Sequence, residues 1–178
     1  MEKLYVPLMA SNVTEDTQTT YLRYLHRIKA DAVMLALDRA TLFMNTEERK
    51  VCFEKVADNA RFFQKNGLEI IIWTDSYGFG DAISDKYKHM MAGEPRITSI
   101  EGKALDGALC PEGEQLIRLC QERIKDIARI IHPDRIMLDD EMCLSVRPGL
   151  GCFCDKHMKL YEQEFGQSHT LEELKKLI

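Results

Sequence analysis

Two almost uninterrupted apolar runs, Ala32-Val33-Met34-Leu35-Ala36-Leu37 and Leu68-Glu69-Ile70-Ile71-Ile72-Trp73-Thr74, constrain this chain more than anything else in it. A strand that alternates apolar and polar residues can leave one face in water. A run of this kind instead implies burial on both faces, and so a parallel sheet. Two further strand-like runs flank them, Leu4-Tyr5-Val6-Pro7-Leu8-Met9 and Arg135-Ile136-Met137-Leu138. Helical periodicities fill the gaps. Thr14 can cap a helix with Tyr21, Leu22, Leu25 and Ile28 on one face. Glu47 and Glu48 favour the start of a second, which carries Cys52, Val56, Ala60 and Phe63 and stops at Asn66-Gly67. Pro111, Glu112 and Glu114 open a third, with a stripe of Leu116, Cys120, Ile124, Ile127 and Ile131 broken at His132-Pro133-Asp134. A fourth covers about 152–165, and a weaker one begins at Thr170. Four strand–helix alternations predict an α/β chain of (β/α) units with right-handed crossovers, forming a single domain over residues 1–178.

The net charge of −5, with no Lys/Arg cluster, excludes a nucleic-acid partner. No segment approaches the ~20 apolar residues of a membrane span. Met1-Glu2-Lys3 leads straight into a strand without the apolar core of a signal peptide, so the expected location is cytoplasmic. One connection stands out by its length, residues 76–110. It holds a glycine-rich turn (Gly78-Phe79-Gly80), a short polar helix over about 84–91 and a hairpin turning at Glu101-Gly102. Loops this long within a domain generally carry function.

Two clusters carry chemistry. The fourth strand ends in Asp139-Asp140-Glu141, and carboxylates at the C-terminal ends of parallel strands sit where α/β enzymes place their reactions. Asp139 and Glu141 point to one side of the strand and Asp140 to the other. Any of them can act as general acid or base if apolar walls raise its pKa. The plainer alternative is that they cap backbone amides or pair with Arg135 or Arg147. The second cluster is Cys152-x-Cys154-x-x-His157, three soft or borderline ligands suited to tetrahedral zinc. For the fourth ligand Cys110, just before the third helix, is preferred to Cys143. Such a zinc is structural, because four protein ligands leave no position for water. The competing reading is free thiols and a surface histidine. Cys52 and Cys120 lie within helical patterns and read as buried thiols.

These segments resemble glycoside hydrolase family 42, the microbial β-galactosidases, and related uncharacterised barrel glycosidases. Leu138-Asp139-Asp140-Glu141 is similar to the family's fourth strand end, Asp-Asn-Glu. Gly151-Cys152-Phe153-Cys154-Asp155-Lys156-His157 is similar to its Cys-x-Cys-x-x-Cys segment, and Leu160-Tyr161 with Phe165-Gly166 to the helix after it. Thr170-Leu171-Glu172-Glu173-Leu174 resembles the next short helix, and Glu101-Gly102-Lys103 followed by Cys110-Pro111 the loop that supplies the first zinc cysteine. The resemblance covers roughly residues 100–178 by motif. It implies a (β/α)8 barrel of the TIM type, a retaining mechanism on a carbohydrate substrate, Glu141 as general acid/base, and zinc on Cys110, Cys152, Cys154 and His157. Asp140 stands where the family has the asparagine that contacts the sugar 2-hydroxyl, and His157 replaces the last cysteine.

Asp38-Arg39 and Trp73 with Asp75 end strands two and three and would line the same pocket as Asp139, with Arg147 on a substrate oxygen. Four units are half of a closed barrel. Residues 171–178 stop within a helical pattern without a cap, so the expectation is the N-terminal half of a barrel. Retaining hydrolysis also needs a second carboxylate ~5–5.5 Å from the first. The family takes it from its seventh strand, and the chain alone is expected to lack this nucleophile. Two other readings remain open. One is a non-catalytic half-barrel that binds ligand or homodimerises through the open sheet edges of its first and fourth strands. The other is a hydrolase using Asp139, Asp140 and Glu141 to hold a hard cation.

Overall fold

A computed structural model describes residues 2–74, 89, 92–139 and 151–177, with only the backbone at 105–108. The chain divides into two compact units, Met1–Ser76 with Gln121–Asp139, and Tyr77–Cys120 with Asp140–Ile178.

The first unit is a four-stranded parallel sheet backed by helices. Its elements are β1 (Tyr5–Met9), α1 (Glu15–Arg27), β2 (Ala32–Ala36), α2 (Thr46–Lys65) and β3 (Glu69–Thr74). The later residues of α3 (Glu114–Asp126) and β6 (Arg135–Leu138) complete it. The strand order is β1-β2-β3-β6, which leaves β1 and β6 at the edges. Pro7 fits such an edge, because it has no N–H to offer a neighbour. Capping boxes start the first two helices, from Thr14 with Thr17 and from Asn45 with Glu48. Val33, Leu35, Leu37, Ile70 and Ile72 alternate onto one sheet face and pack with Leu25, Phe53, Val56, Ala60, Phe63, Ile127 and Ile131. Two exposed carboxylates tie the strand starts. Asp31 accepts the Leu4 N–H at 2.7 Å, and Asp134 accepts the Ile70 N–H at 2.7 Å.

The opposite sheet face departs from the expectation of burial on both sides. Registered rows place Pro7 beside Met34, Met9 beside Ala36, and Trp73 between Ala36 and Met137. Of these, Met9 is 46% and Met137 41% exposed, while Met34, Ala36 and Trp73 are half-buried. Helices supply the layer on one face, and no described residue of this unit supplies an equal one on the other.

The third helix also differs from its predicted stripe. Leu116, Leu119, Arg123, Ile127 and Ile131 are buried, whereas Cys120 and Ile124 are only half-buried. The last turn, Ile127–Ile131, is π-helical and keeps Ile127 and Ile131 buried, and His132 ends it at φ 52°.

In the second unit β4 (Arg96–Thr98) pairs antiparallel with β5 (Ala104–Leu109), the hairpin expected at Glu101-Gly102. Gly102, at φ 78°, takes a left-handed turn position that side chains resist. After β5 come Cys110, the start of α3, α4 (Asp155–Phe165) and α5 (Leu171–Lys175). Gly166 closes α4 at φ 67°, and a Thr170–Glu173 capping box opens α5. Among the described residues no helix is long and apolar enough to cross a membrane.

Candidate metal centre

Each of the four expected ligands is placed by a short-range rule. The Cys110 N–H donates to the Pro95 carbonyl at 2.8 Å, and the Gly113 N–H to the Cys110 carbonyl at 2.9 Å, so the cysteine opens a tight turn after β5. The Phe153 N–H donates to Thr98 O at 2.8 Å, which lays the Cys152–Cys154 segment along β4. The Cys152 thiol lies 3.8 Å from Arg96 O. Cys154 is the N-cap of α4, and His157 follows one helical turn later on the same side.

The four side chains converge within 4.8 Å of one another. His157 Nδ1 is 3.3 Å from Cys110 Sγ and 3.4 Å from Cys154 Sγ, and the two sulfurs are 3.6 Å apart. Around a tetrahedral ion with metal–sulfur bonds of about 2.3 Å, sulfur–sulfur edges of about 3.7–3.8 Å are expected, so this spacing is close to a ligand shell. The imidazole presents Nδ1, leaving Nε2 free for an outer partner. All three cysteines are buried, and Cys110 is fully inaccessible. Three buried sulfurs and one half-buried imidazole can hold a soft or borderline ion, and four such ligands suffice for tetrahedral coordination.

Burial pushes the Cys110 thiol well up and the Cys152 thiol up, and the neighbouring sulfurs push both further. Against this, the Glu112 N–H favours the Cys110 thiolate, and the Thr98 and Cys154 N–H groups favour that of Cys152. Two opposite pH responses follow. Without metal, thiols whose folded pKa exceeds the unfolded value stabilise the fold below the unfolded pKa, and that stability is lost as pH rises through the folded one. With metal, binding displaces the thiol protons, so affinity and stability rise with pH. Melting curves from about pH 7 to pH 10, with and without added metal, should slope in opposite directions. Parallel slopes would remove the thiols from the binding step.

The expected substrate-side residues are placed as follows. Asp38 is exposed beyond β2, and its carboxylate accepts the Ala40 N–H at 2.8 Å, capping the short turn Arg39–Leu42. Arg39 is half-buried within that turn. Trp73 lies on the sheet face away from the helices, and the Asp139 N–H donates to Thr74 O at 2.9 Å, carrying the β3–β6 pairing one residue further. Glu141, Asp140, Asp75, Arg147 and the alternative ligand Cys143 lie outside the described residues.

Two interactions, one buried and one half-buried, escaped the sequence reading. Arg49, 2% exposed, donates from Nε to Asp126 at 2.7 Å and from Nη1 to the Met44 carbonyl at 3.2 Å. Lys156 reaches the Glu112 carbonyl at 2.5 Å. Arg and Lys at helical positions read as solvent-facing, and only the partners' placement shows otherwise.

No family model matches the sequence, and no curated protein matches it. Among solved structures, the crystal structure of the β-galactosidase from the psychrophilic Marinomonas ef1 is similar, with a TM-score of 0.70 at 12% identity over 93% of this chain. The match takes up 26% of that enzyme's chain, so this chain spans about a quarter of its length. At that identity the likeness is one of fold alone, that of a mixed α/β chain with a four-stranded parallel sheet.

Proposed function

We propose that this chain is the N-terminal half of a glycosidase-like (β/α) barrel of the TIM type, carrying a structural zinc. The observation that carries the reading is the sheet. It has four parallel strands, ordered β1-β2-β3-β6, with helices on one face and an apolar, partly open other face. The superposition onto part of a β-galactosidase at a TM-score of 0.70 supports it. Doubling four strands gives the eight of a closed barrel, and closure would bury Met9, Met34, Trp73 and Met137 inside.

In this reading chemistry occurs at the C-terminal ends of the strands. Glu141 protonates the leaving glycosidic oxygen and later takes a proton from water, with Asp140 beside it. Trp73 offers an apolar platform to a sugar ring. Asp38, Arg39, Asp75, Asp139 and Arg147 supply polar contacts from neighbouring strand ends. The nucleophilic carboxylate has to come from outside these four strands. Zinc on Cys110, Cys152, Cys154 and His157 would cross-link the β4–β5 hairpin to the start of α4 without taking part in turnover.

Binding of monosaccharides followed by calorimetry, together with turnover of an aryl-glycoside panel, tests the reading. A bound sugar whose affinity falls at least about tenfold in Trp73→Ala is the expected result, with no turnover by the monomeric chain. No sugar bound by any member of the panel would sink the glycan-facing role. Should the chain turn over an aryl glycoside after all, turnover that survives Glu141→Gln would remove that residue from acid/base work.

A second reading has its own support in the two sheet edges. Among the described residues no strand covers the outer sides of β1 and β6. A second copy placed about a two-fold axis along the strands would pair β6 with the partner's β1 and close eight strands. Native mass spectrometry should then give a dimer with one zinc per chain, and a monomer at all concentrations would exclude this assembly.

A further inference from the structure

Lys156 lies between the ligands Cys154 and His157 at the start of α4, yet it turns toward the third ligand's loop. Its Nζ donates to the Glu112 carbonyl at 2.5 Å, within a partly buried setting. Glu112 is two residues beyond Cys110, and its N–H favours the Cys110 thiolate. One peptide residue therefore serves both sides: its N–H favours the ligand sulfur, and its carbonyl takes the ammonium from the helix that carries the other ligands.

The Cys110–Gly113 turn is confined on every side. Cys110 N–H is held by Pro95 O and Gly113 N–H by Cys110 O. A Cβ on Gly113 would run into the carboxylate of Glu94 and press on the Cys110 carbonyl, and Glu94 Oε2 is buried without a hydrogen-bond partner. The neighbouring helix residue Lys159 is exposed, whereas Lys156 is half-buried against this turn. A loaded centre of three thiolates, one neutral imidazole and a divalent ion carries a net negative charge in partly apolar surroundings, and a nearby ammonium offsets it.

We propose that Lys156 is the positioning residue of the metal centre: it locks the Cys110–Gly113 turn onto the start of α4 and offsets the charge of the thiolate shell. The inference rests on the four-ligand reading and adds the group that presets it. It acts on Cys110 through the Glu112 peptide and does not itself bind the ion.

The test compares the full chain with Lys156→Met, Lys156→Arg and Lys159→Met. Zinc affinity is read by competition with a chromophoric chelator, and geometry by the thiolate-to-cobalt and ligand-field bands of the Co(II) form. The expected result is a roughly 10- to 100-fold loss of zinc affinity and faster release in Lys156→Met, with tetrahedral cobalt bands retained. Lys156→Arg should fall between, since it keeps the charge but not the point donor. Lys159→Met should match the parent chain. Affinity of Lys156→Met within twofold of the parent overturns the proposal, as does an equal loss in Lys159→Met, which would reduce the effect to net charge. If Lys156→Met folds poorly, the release rate from cobalt-loaded Lys156→Arg decides, and a rate equal to the parent's overturns the proposal. Absence of cobalt–thiolate bands in the parent chain is a separate failure, that of the ligand set itself.

Discussion

Stripping the metal is expected to unfold the second unit while the parallel sheet of the first stays folded. One core cluster of the second unit joins Ile97 with Cys110, Cys152 and Cys154, so three of its four members are candidate ligands. Neither α4 nor α5 has a buried residue among those described. Without the ion, burial of these thiols with Ile97, Leu109, Leu116 and Leu119 has to offset the ordering of the hairpin and two short helices, at roughly 1–2 kcal/mol of backbone entropy per residue. Structural zinc sites supply apparent binding free energies of about 10–16 kcal/mol near neutral pH, which is ample to reverse that balance. The first unit has its own core, from Leu25 and Val33 to Ile127 and Ile131, and no ligand lies within it. Hydrogen exchange before and after chelation checks this directly. Protection should collapse over β4, β5, α4 and α5 and persist over β2, β3 and α2. Unchanged protection of α4 after metal loss would show that the thiols hold the unit unaided.

Asp126→Ala should destabilise the first unit by about 3–5 kcal/mol, the cost of leaving a buried cation without its partner. Arg49 is 2% exposed, and its Nε is 2.7 Å from the Asp126 carboxylate. Its other acidic neighbour, Glu122, is 3.7 Å away and half-exposed, so it replaces little of the lost attraction. Arg49→Met should cost less. It leaves Asp126 paired with Arg129, an exposed side chain, at 3.0 Å. The double variant Arg49→Met with Asp126→Leu removes both charges and should recover most of the loss. Urea unfolding reads the comparison as a shift in midpoint at constant slope. If Asp126→Ala and Arg49→Met cost the same, the pair contributes by packing alone, without the penalty of an orphaned charge.

Much of the scaffold is legible in local patterns. The unbroken apolar runs at 32–37 and 68–74 become the two central strands, and Leu4–Met9 and Arg135–Leu138 the outer ones, because length and composition decide how much of a strand can be solvated. Thr14 and Thr170 open helices as a hydroxyl before a helical pattern should. Cys152-x-Cys154-x-x-His157 is legible for the same reason, since adjacent turns of one segment fix where its donors point.

The remainder depends on groups distant in sequence. Cys110 meets Cys154 across 44 residues, and Arg49 meets Asp126 across 77. Periodicity carries no information over such separations; it gives an arginine on a helix the same appearance whether it faces water or a buried carboxylate. The buried stripe runs through Leu119 and Arg123 where the periodicity offered Cys120 and Ile124, since both sets have helical spacing and only the packing partners choose between them. Asp38, suited by type to a substrate pocket, places its carboxylate on its own chain two residues on. The sequence by itself determined which segments become strands and helices, and which cysteines and histidine could share an ion. Only the tertiary structure decided which of them meet, because a ligand shell, a buried ion pair and an open sheet face are set by the packing of distant elements.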